Sequence, residues 1–304
     1  MPTILVAGAT GLVGSALVEA LRRRGDEVRR LVRGDSRFAL DFPWDPAEGQ
    51  IPDEALSGAV AVVNLCGAGI ADARWTAERR RLLRSSRVDP ARLIADACIR
   101  NGVGTLVNAS ATGFYGDRGE EILDERSPSG GGFLADTCVA WEHALRSAEE
   151  AGVRVAKARL GVVLAPRGGA LEAMLPAFKM GVGGPLGTGA QWFSWIHLDD
   201  AVAGFLHLLD HPSARGPHLL VAPGEVRQKS FATALGKALR RPAILPVPGF
   251  VLRCLLGGMA KELLLGSQRC HPVALAQEGF SWKHPTLETA LADVVQRRKV
   301  MPQH

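Results

Sequence analysis

Thr3-Ile4-Leu5-Val6-Ala7-Gly8-Ala9-Thr10-Gly11-Leu12-Val13-Gly14 is the stretch whose reading decides the fold. Residues 3–7 form a short apolar strand, glycines follow at 8, 11 and 14, and Leu17, Leu21 and Arg24 continue a helix. Gly25 ends that helix as a left-handed cap. Glycine is required where the backbone turns sharply, where it approaches a pyrophosphate, and where helix and strand pack closely. The helix N-terminus then offers free N–H groups and the positive end of its dipole to phosphate. A strand before the triplet and a helix after it mark a dinucleotide-binding turn.

Outward from this turn, β-branched runs alternate with helical stretches, the pattern of βαβ units and a parallel sheet. Strands are expected at 28–33, 59–65, 105–109 and 154–163, with helices near 77–85, 89–100 and 134–151. After Leu164 the texture changes: residues 165–190 are rich in Gly and Pro around a short helix at 171–180. Strands at 192–197 and 219–222 then flank a helix at 199–209, and helices with Pro-containing connections follow from Pro223. The expected fold is α/β, a doubly wound parallel (Rossmann) sheet with a smaller, mainly helical substrate domain. Residues 1–164 and about 191–223 would form the dinucleotide-binding domain, and about 165–190 and 224–304 the substrate side.

The end of the second strand should meet the adenosine ribose about 20 residues past the last glycine of the turn. It reads Leu31-Val32-Arg33-Gly34-Asp35-Ser36-Arg37. Arg33 at the strand end, with Arg37 behind it, favours NADP over NAD, because a guanidinium pairs with a 2′-phosphate. If the strand ran two residues longer, Asp35 would instead read an unphosphorylated ribose.

The chain has 304 residues, 47% hydrophobic and 22% charged, which excludes wholesale disorder. Its net charge of +5 rests on 29 Arg and 7 Lys, with one dense run holding Arg74, Arg79, Arg80, Arg81, Arg84 and Arg87. Only Trp75 is interleaved there, so the run reads as a solvated helix face with one or two arginines turned inward, and no nucleic-acid partner is expected. Five scattered cysteines without a C-x-x-C pair give neither a disulfide framework nor a metal site. No signal peptide opens the chain, so a cytoplasmic protein is expected. Prolines and charges interrupt 243–266, which reads as one or two buried amphipathic helices rather than a membrane span, and no membrane partner is expected. A homo-oligomer is compatible with the sequence.

With the glycine turn, Arg33, and Asn108-Ala109-Ser110-Ala111-Thr112-Gly113-Phe114-Tyr115-Gly116, the chain resembles the extended short-chain dehydrogenase/reductases. More narrowly it resembles the NAD(P)-dependent epimerase/dehydratase-like group with its additional carboxy-terminal region. Asn64-Leu65-Cys66-Gly67, Arg74-Trp75-Thr76, Ser86-Arg87, Trp141-Glu142 and Trp195-Ile196-His197 carry that match. The resemblance implies an NADP-binding oxidoreductase or epimerase acting on an unidentified small molecule. It implies cofactor contacts at Gly8, Thr10, Gly11, Leu12, Val13, Gly14 and Arg33, at Leu65, Cys66 and Gly67, at Arg87, and at Val162 beside the nicotinamide. Leu65 and Cys66 as plain core, and Arg87 paired with a neighbouring carboxylate, are the plainer alternatives.

Catalysis in that family uses a Ser or Thr near the end of the fifth strand and a Tyr-x-x-x-Lys pair on the next helix. Here Cys138 and Glu142 stand one turn apart where the tyrosine and lysine are expected. A carboxylate raises a thiol's pKa, whereas the missing lysine would lower that of a phenol. Three readings stay open. Tyr115, the sole tyrosine, donates a proton from the loop after strand five, with Ser110 or Thr112 polarising the substrate, unless its ring simply packs behind the cofactor. Glu142 or Cys138 serves another proton transfer. Or the protein is a dinucleotide-binding sensor or scaffold with little or no catalysis. His197 reads as a structural residue at a strand-to-helix corner, with Asp199 or Asp200 capping the helix.

Overall fold

In the computed structural model, which describes residues 1–36 and 38–300, the strands are β1 (Thr3–Ala7), β2 (Glu27–Val32), β3 (Asp41–Pro43), β4 (Ala61–Asn64) and β5 (Thr105–Ala111). They continue with β6 (Ile122–Leu123), β7 (Arg154–Leu160), β8 (Val162–Leu164), β9 (Trp192–Phe193), β10 (Trp195–His197), β11 (Gly216–Leu220), β12 (Val226–Arg227) and β13 (Arg269–Cys270). The helices are α1 (Leu12–Arg24), α2 (Asp53–Leu56), α3 (Ala77–Arg100), α4 (Phe133–His143), α5 (Arg146–Glu150) and α6 (Gly169–Lys179). Then come α7 (Leu198–Asp210), α8 (Gln228–Leu239), α9 (Gly249–Leu256), α10 (Val273–Gln277) and α11 (Leu287–Val300).

Seven strands form one sheet in the order β11-β7-β5-β4-β1-β2-β3. The pairs β5–β4, β4–β1, β1–β2 and β2–β3 are parallel, so this is the doubly wound α/β fold. The order reverses at β1, which lies between β2 and β4, and in such sheets ligands bind outside the carboxyl ends of the strands at that switch point. β1 and β4 are apolar because both faces of the central strands are covered: Leu5, Val6, Val62 and Val63 are fully buried.

The chain separates into two compact units. The first comprises residues 1–111, 136–159 and 202–218, and the second 112–135, 160–201 and 219–304. The second unit thus takes in the segment after β5 and the end of the long strand, both assigned to the dinucleotide domain on sequence. Its core gathers Leu164, Leu171, Phe178, Trp195, Phe231, Leu235, Leu291 and Val294 from β8, α6, β10, α8 and α11.

Three local expectations are corrected. Residues 77–100 form one helix, not two, and Pro90 lies inside it. The lost hydrogen bond is offset by a continuous inner face of Leu83, Val88, Ala91, Ile94, Ala95 and Cys98. Residues 134–151 form two helices, because the Leu145 N–H turns back to the Glu142 carbonyl, three residues before, and tightens the chain. The stretch 243–266 is not buried: Ile244, Leu245, Phe250 and Leu255 are exposed. Pro242, Pro246 and Pro248 hold its first part out of helix, and the short α9 turns only Leu252 fully inward.

At the β10–α7 corner, neither aspartate caps the helix as expected. The His197 ring does: its Nδ1 accepts the Asp199 N–H at 3.0 Å. The Asp199 carboxylate instead takes two hydrogen bonds from Arg297 and one from Lys283, and Asp200 accepts the N–H groups of Lys283 and His284. These contacts fasten the 283–284 segment and α11 to the corner. Burial, and the neighbouring His284, push the His197 pKa down from 6.5 to about 4, so the folded state holds this ring neutral. The unfolded chain therefore binds more protons between those values, and stability is lost as pH falls from about 6.5 to 4. The loss at this group is on the order of 3 kcal/mol. Thermal melts across that range should show the decline, and His197→Asn should flatten it; an unchanged slope in the variant contradicts the assignment.

Candidate dinucleotide site and the buried carboxylate beside it

The first unit carries two adjoining features, a glycine cradle and a buried ion pair. Gly8 has φ +74°, a left-handed conformation that favours glycine. A Cβ on Gly8 would stand 2.6 Å from the Leu65 carbonyl carbon, and one on Gly14 only 2.1 Å from the Gly8 oxygen. Backbone therefore packs directly on backbone among β1, α1 and the end of β4. The Gly11 N–H donates to the Gly8 carbonyl at 3.1 Å and closes the turn. A Cβ on Gly11 would meet nothing closer than 3.4 Å, so its outer side is open, and no side chain caps the first amides of α1. An open glycine surface beside uncapped helical N–H groups fits a pyrophosphate. Thr10 is exposed and Leu12 and Val13 are partly so, which leaves the turn accessible.

β2 ends at Val32, so Arg33 takes the first position past the strand and Asp35 lies beyond it in the turn. Arg33 is exposed and makes no ion pair among the described residues. Its charge is felt at Cys66, the thiol of which burial pushes up to about 12 against the opposing pull of Arg33. The Cys66 thiol therefore keeps its proton near pH 7. Arg37 lies outside the described residues.

Leu65-Cys66-Gly67 is held by groups that sequence reasoning did not single out. Asn64 and Asn108, both fully buried at the ends of β4 and β5, join by an Nδ2–Oδ1 hydrogen bond of 2.7 Å. Asn64 Oδ1 also accepts the Cys66 N–H at 3.1 Å, and Ser86 Oγ accepts the Ala68 N–H at 3.0 Å. Polar residues that end apolar strands are the signal that could have found them, because buried amides must have partners. Among the described residues Arg87 pairs with no carboxylate. Its guanidinium donates to the Ala68 and Leu83 carbonyls and lies over the Trp141 ring, and a Cβ on Gly67 would stand 3.1 Å from it. Arg87 thus braces the loop from α3, and burial holds its pKa below the usual arginine value. Arg79 also turns inward, to the Gly69 carbonyl, while Arg74, Arg81 and Arg84 are exposed.

Ser110, Cys138 and Glu142 come together in this unit, from β5 and α4. Ser110 Oγ donates to Glu142 Oε1 at 2.7 Å. Arg159 on β7 meets the same carboxylate with both arms, Nε to Oε1 at 2.8 Å and Nη2 to Oε2 at 2.9 Å. The pair is nearly enclosed, with side chains 5% and 9% exposed. Burial first, then the Glu142 charge, pushes the Cys138 thiol up to about 12 against Arg87 and Arg159. Such a thiol is neutral near pH 7 and is not a nucleophile.

Thr112, Tyr115 and Val162 belong to the second unit. Thr112 and Tyr115 lie in a 3-10 turn, and the Tyr115 hydroxyl donates to the Asp124 carbonyl at 2.8 Å. The ring is wholly buried with Leu123, Leu219, Val221 and Cys270. Val162 opens β8 and pairs with Trp195.

Residues 4–222 match the model of the NAD dependent epimerase/dehydratase family, and residues 247–294 match a domain of unknown function, DUF1731. An epimerase family protein of Mycobacterium bovis is 42% identical over 288 residues, 95% of this chain and 96% of its own. The chloroplastic SDR39U1 homolog of Arabidopsis thaliana, also described as an epimerase family protein, is 40% identical over 97% of this chain and 87% of its own. Among solved structures, human epimerase family protein SDR39U1 with NADPH superposes with a TM-score of 0.88 at 31% identity, covering 97% of this chain and 99% of its own.

Removing one partner of a buried ion pair strands the other charge, at a cost of about 3–5 kcal/mol. Arg159→Met is expected to lower unfolding stability by that amount in urea titrations. A loss below about 1 kcal/mol would mean that water reaches Glu142 and that the pair is not closed.

Proposed function

The chain belongs to the NAD dependent epimerase/dehydratase family, and on that premise we propose that it is an NADP(H)-binding oxidoreductase acting on a small molecule. The observation that carries the cofactor choice is Arg33, exposed and without an ion pair directly past β2, with no acidic residue at that position. A guanidinium there pairs with a 2′-phosphate, whereas a carboxylate would repel it. The uncapped amides at the start of α1 hold the pyrophosphate, with Gly8, Thr10, Gly11, Leu12, Val13 and Gly14 forming its cradle. Leu65, Cys66 and Gly67 flank the adenosine, and Arg87 keeps that loop in place. Bound NADP(H) supplies or accepts a hydride at the nicotinamide ring.

Proton transfer in this reading does not come from a Tyr–Lys pair. Glu142 is neutralised by Arg159 and already accepts the Ser110 proton, and the Cys138 thiol keeps its proton at neutral pH. The Tyr115 hydroxyl is committed to the Asp124 carbonyl. Thr112 is the remaining hydroxyl among the candidates, buried at the start of the 3-10 turn. The same commitments favour a second reading, in which the protein senses or carries NADP(H) without turning it over.

Titration of the full chain with NADPH and with NADH, followed by tryptophan fluorescence, is expected to give at least tenfold tighter binding of NADPH. Arg33→Ala should bring the two within about threefold of each other while leaving NADH binding unchanged. Absence of saturable binding of either, or a preference for NADH, contradicts the cofactor assignment. NADPH consumption in a carbonyl-substrate screen supports the oxidoreductase; tight binding with no consumption across the screen supports the sensor.

A further inference from the structure

Fourteen large apolar side chains are exposed among the described residues, and six of them fall in two short stretches of the second unit: Met180, Val182, Ile244, Leu245, Phe250 and Leu255. The stretches are joined. The Gly187 N–H donates to the Val247 carbonyl at 2.9 Å, and the Val247 N–H to the Pro185 carbonyl at 2.8 Å. A Cβ on Gly184 would stand 2.0 Å from the Leu245 oxygen, and one on Gly181 3.5 Å from Pro242. Gly249 lies against Gly187 and Leu265, which brings α9 to the same surface. α9 buries Leu252 and leaves Phe250, two residues earlier and therefore on the opposite face, and Leu255 in the open. A cluster of this kind marks an interaction surface.

The charge around the cluster identifies what covers it. Residues 226–261 contain seven cations (Arg227, Lys229, Lys237, Arg240, Arg241, Arg253 and Lys261) and no Asp or Glu. That segment carries +7 in a chain of net charge +5, so the remainder sums to −2. Of these cations, Arg240, Arg241, Arg253 and Lys261 are exposed beside the apolar residues and take part in no ion pair among the described residues; Lys179, next to Met180, does the same. The first acidic residue after the run, Glu262, is engaged by the Leu134 N–H at 2.8 Å. We propose that this face lies on a bilayer surface containing anionic lipid, with Phe250, Leu255 and their neighbours in the headgroup–acyl boundary and the five cations on the lipid phosphates. The combination of exposed apolar side chains and unpaired cations is that of interfacial anchors, in which each contribution alone is weak. A second copy fits poorly: a two-fold interface buries the same face of both copies, and so gathers both cation clusters with no acidic residue of 226–261 to oppose them. Nucleic acid fits poorly as well, since the face offers one aromatic ring, Phe250, for stacking. Among the described residues no helix is long and apolar enough to cross a membrane, so the proposed contact is peripheral.

The test is flotation of the full chain with large unilamellar vesicles of pure phosphatidylcholine, or of phosphatidylcholine with 40% phosphatidylglycerol. Binding to the anionic vesicles is expected to be at least tenfold stronger than to the neutral ones, and to weaken at least fivefold in 0.5 M salt. The double variant Phe250→Glu with Leu255→Glu should abolish it. Arg240→Glu with Arg241→Glu, which leaves the apolar residues untouched, should reduce it at least fivefold. Thermal melts and NADPH titration on each variant separate loss of the surface from loss of the fold or of the cofactor site. Failure to float with anionic vesicles overturns the proposal, as does flotation undiminished in both variants. A dimer in light scattering that dissociates in the Phe250/Leu255 variant also overturns it, in favour of a second copy.

Discussion

At the end of β1 three backbones meet with no space for a side chain: a Cβ on Gly14 would be 2.1 Å from the Gly8 oxygen, and one on Gly8 2.6 Å from the Leu65 carbonyl. That approach sets how closely α1 can sit on the sheet and where the loop after β4 begins. The outer side of Gly11 stays open, and no side chain caps the first amides of α1. An open amide surface of this kind fits a pyrophosphate. The Asn64–Asn108 hydrogen bond and the Arg87 brace extend the constraint to Leu65-Cys66-Gly67.

A second constraint follows from the sign of one charge. A lysine at position 142 would project a cation for ribose and phenol; Glu142 projects an anion, which cannot stand alone in an enclosed position. Arg159 from β7 neutralises it with both guanidinium arms, and Ser110 fills the remaining acceptor site on Oε1. The result is a closed network that ties α4 to β5 and β7. Its members are occupied with one another, and the neighbouring thiol is driven further from ionisation. Hydride chemistry is compatible with this arrangement, but the usual means of moving the accompanying proton is absent from it.

The dinucleotide fold was legible because its signals are local and periodic. The glycine spacing, the apolar strands β1 and β4 and the Gly25 cap each follow from a few adjacent residues, and the structure has all of them. The exchange at Cys138 and Glu142 was legible too, from helical spacing alone. What spacing could not reveal was the partner: Arg159 is 17 residues from Glu142 and on a strand, and Asn64 and Asn108 are 44 apart. The break expected at 86–88 is absent because the buried face of α3 runs straight through it, and on through Pro90. The apolar run at 243–266 misled in the opposite way, since hydrophobic composition does not say whether a short, proline-bounded helix finds a core.

In the proposed function the cradle and Arg33 hold NADP(H) while the Glu142 network stays shut. A crystal structure of the chain with NADPH tests it most directly. The pyrophosphate is expected within about 3.2 Å of amides at the start of α1, the 2′-phosphate on Arg33, and Ser110, Glu142 and Arg159 joined as they are without the ligand. A pyrophosphate seated elsewhere, a 2′-phosphate out of reach of Arg33, or a Glu142 freed from Arg159 and turned to the nicotinamide would contradict it.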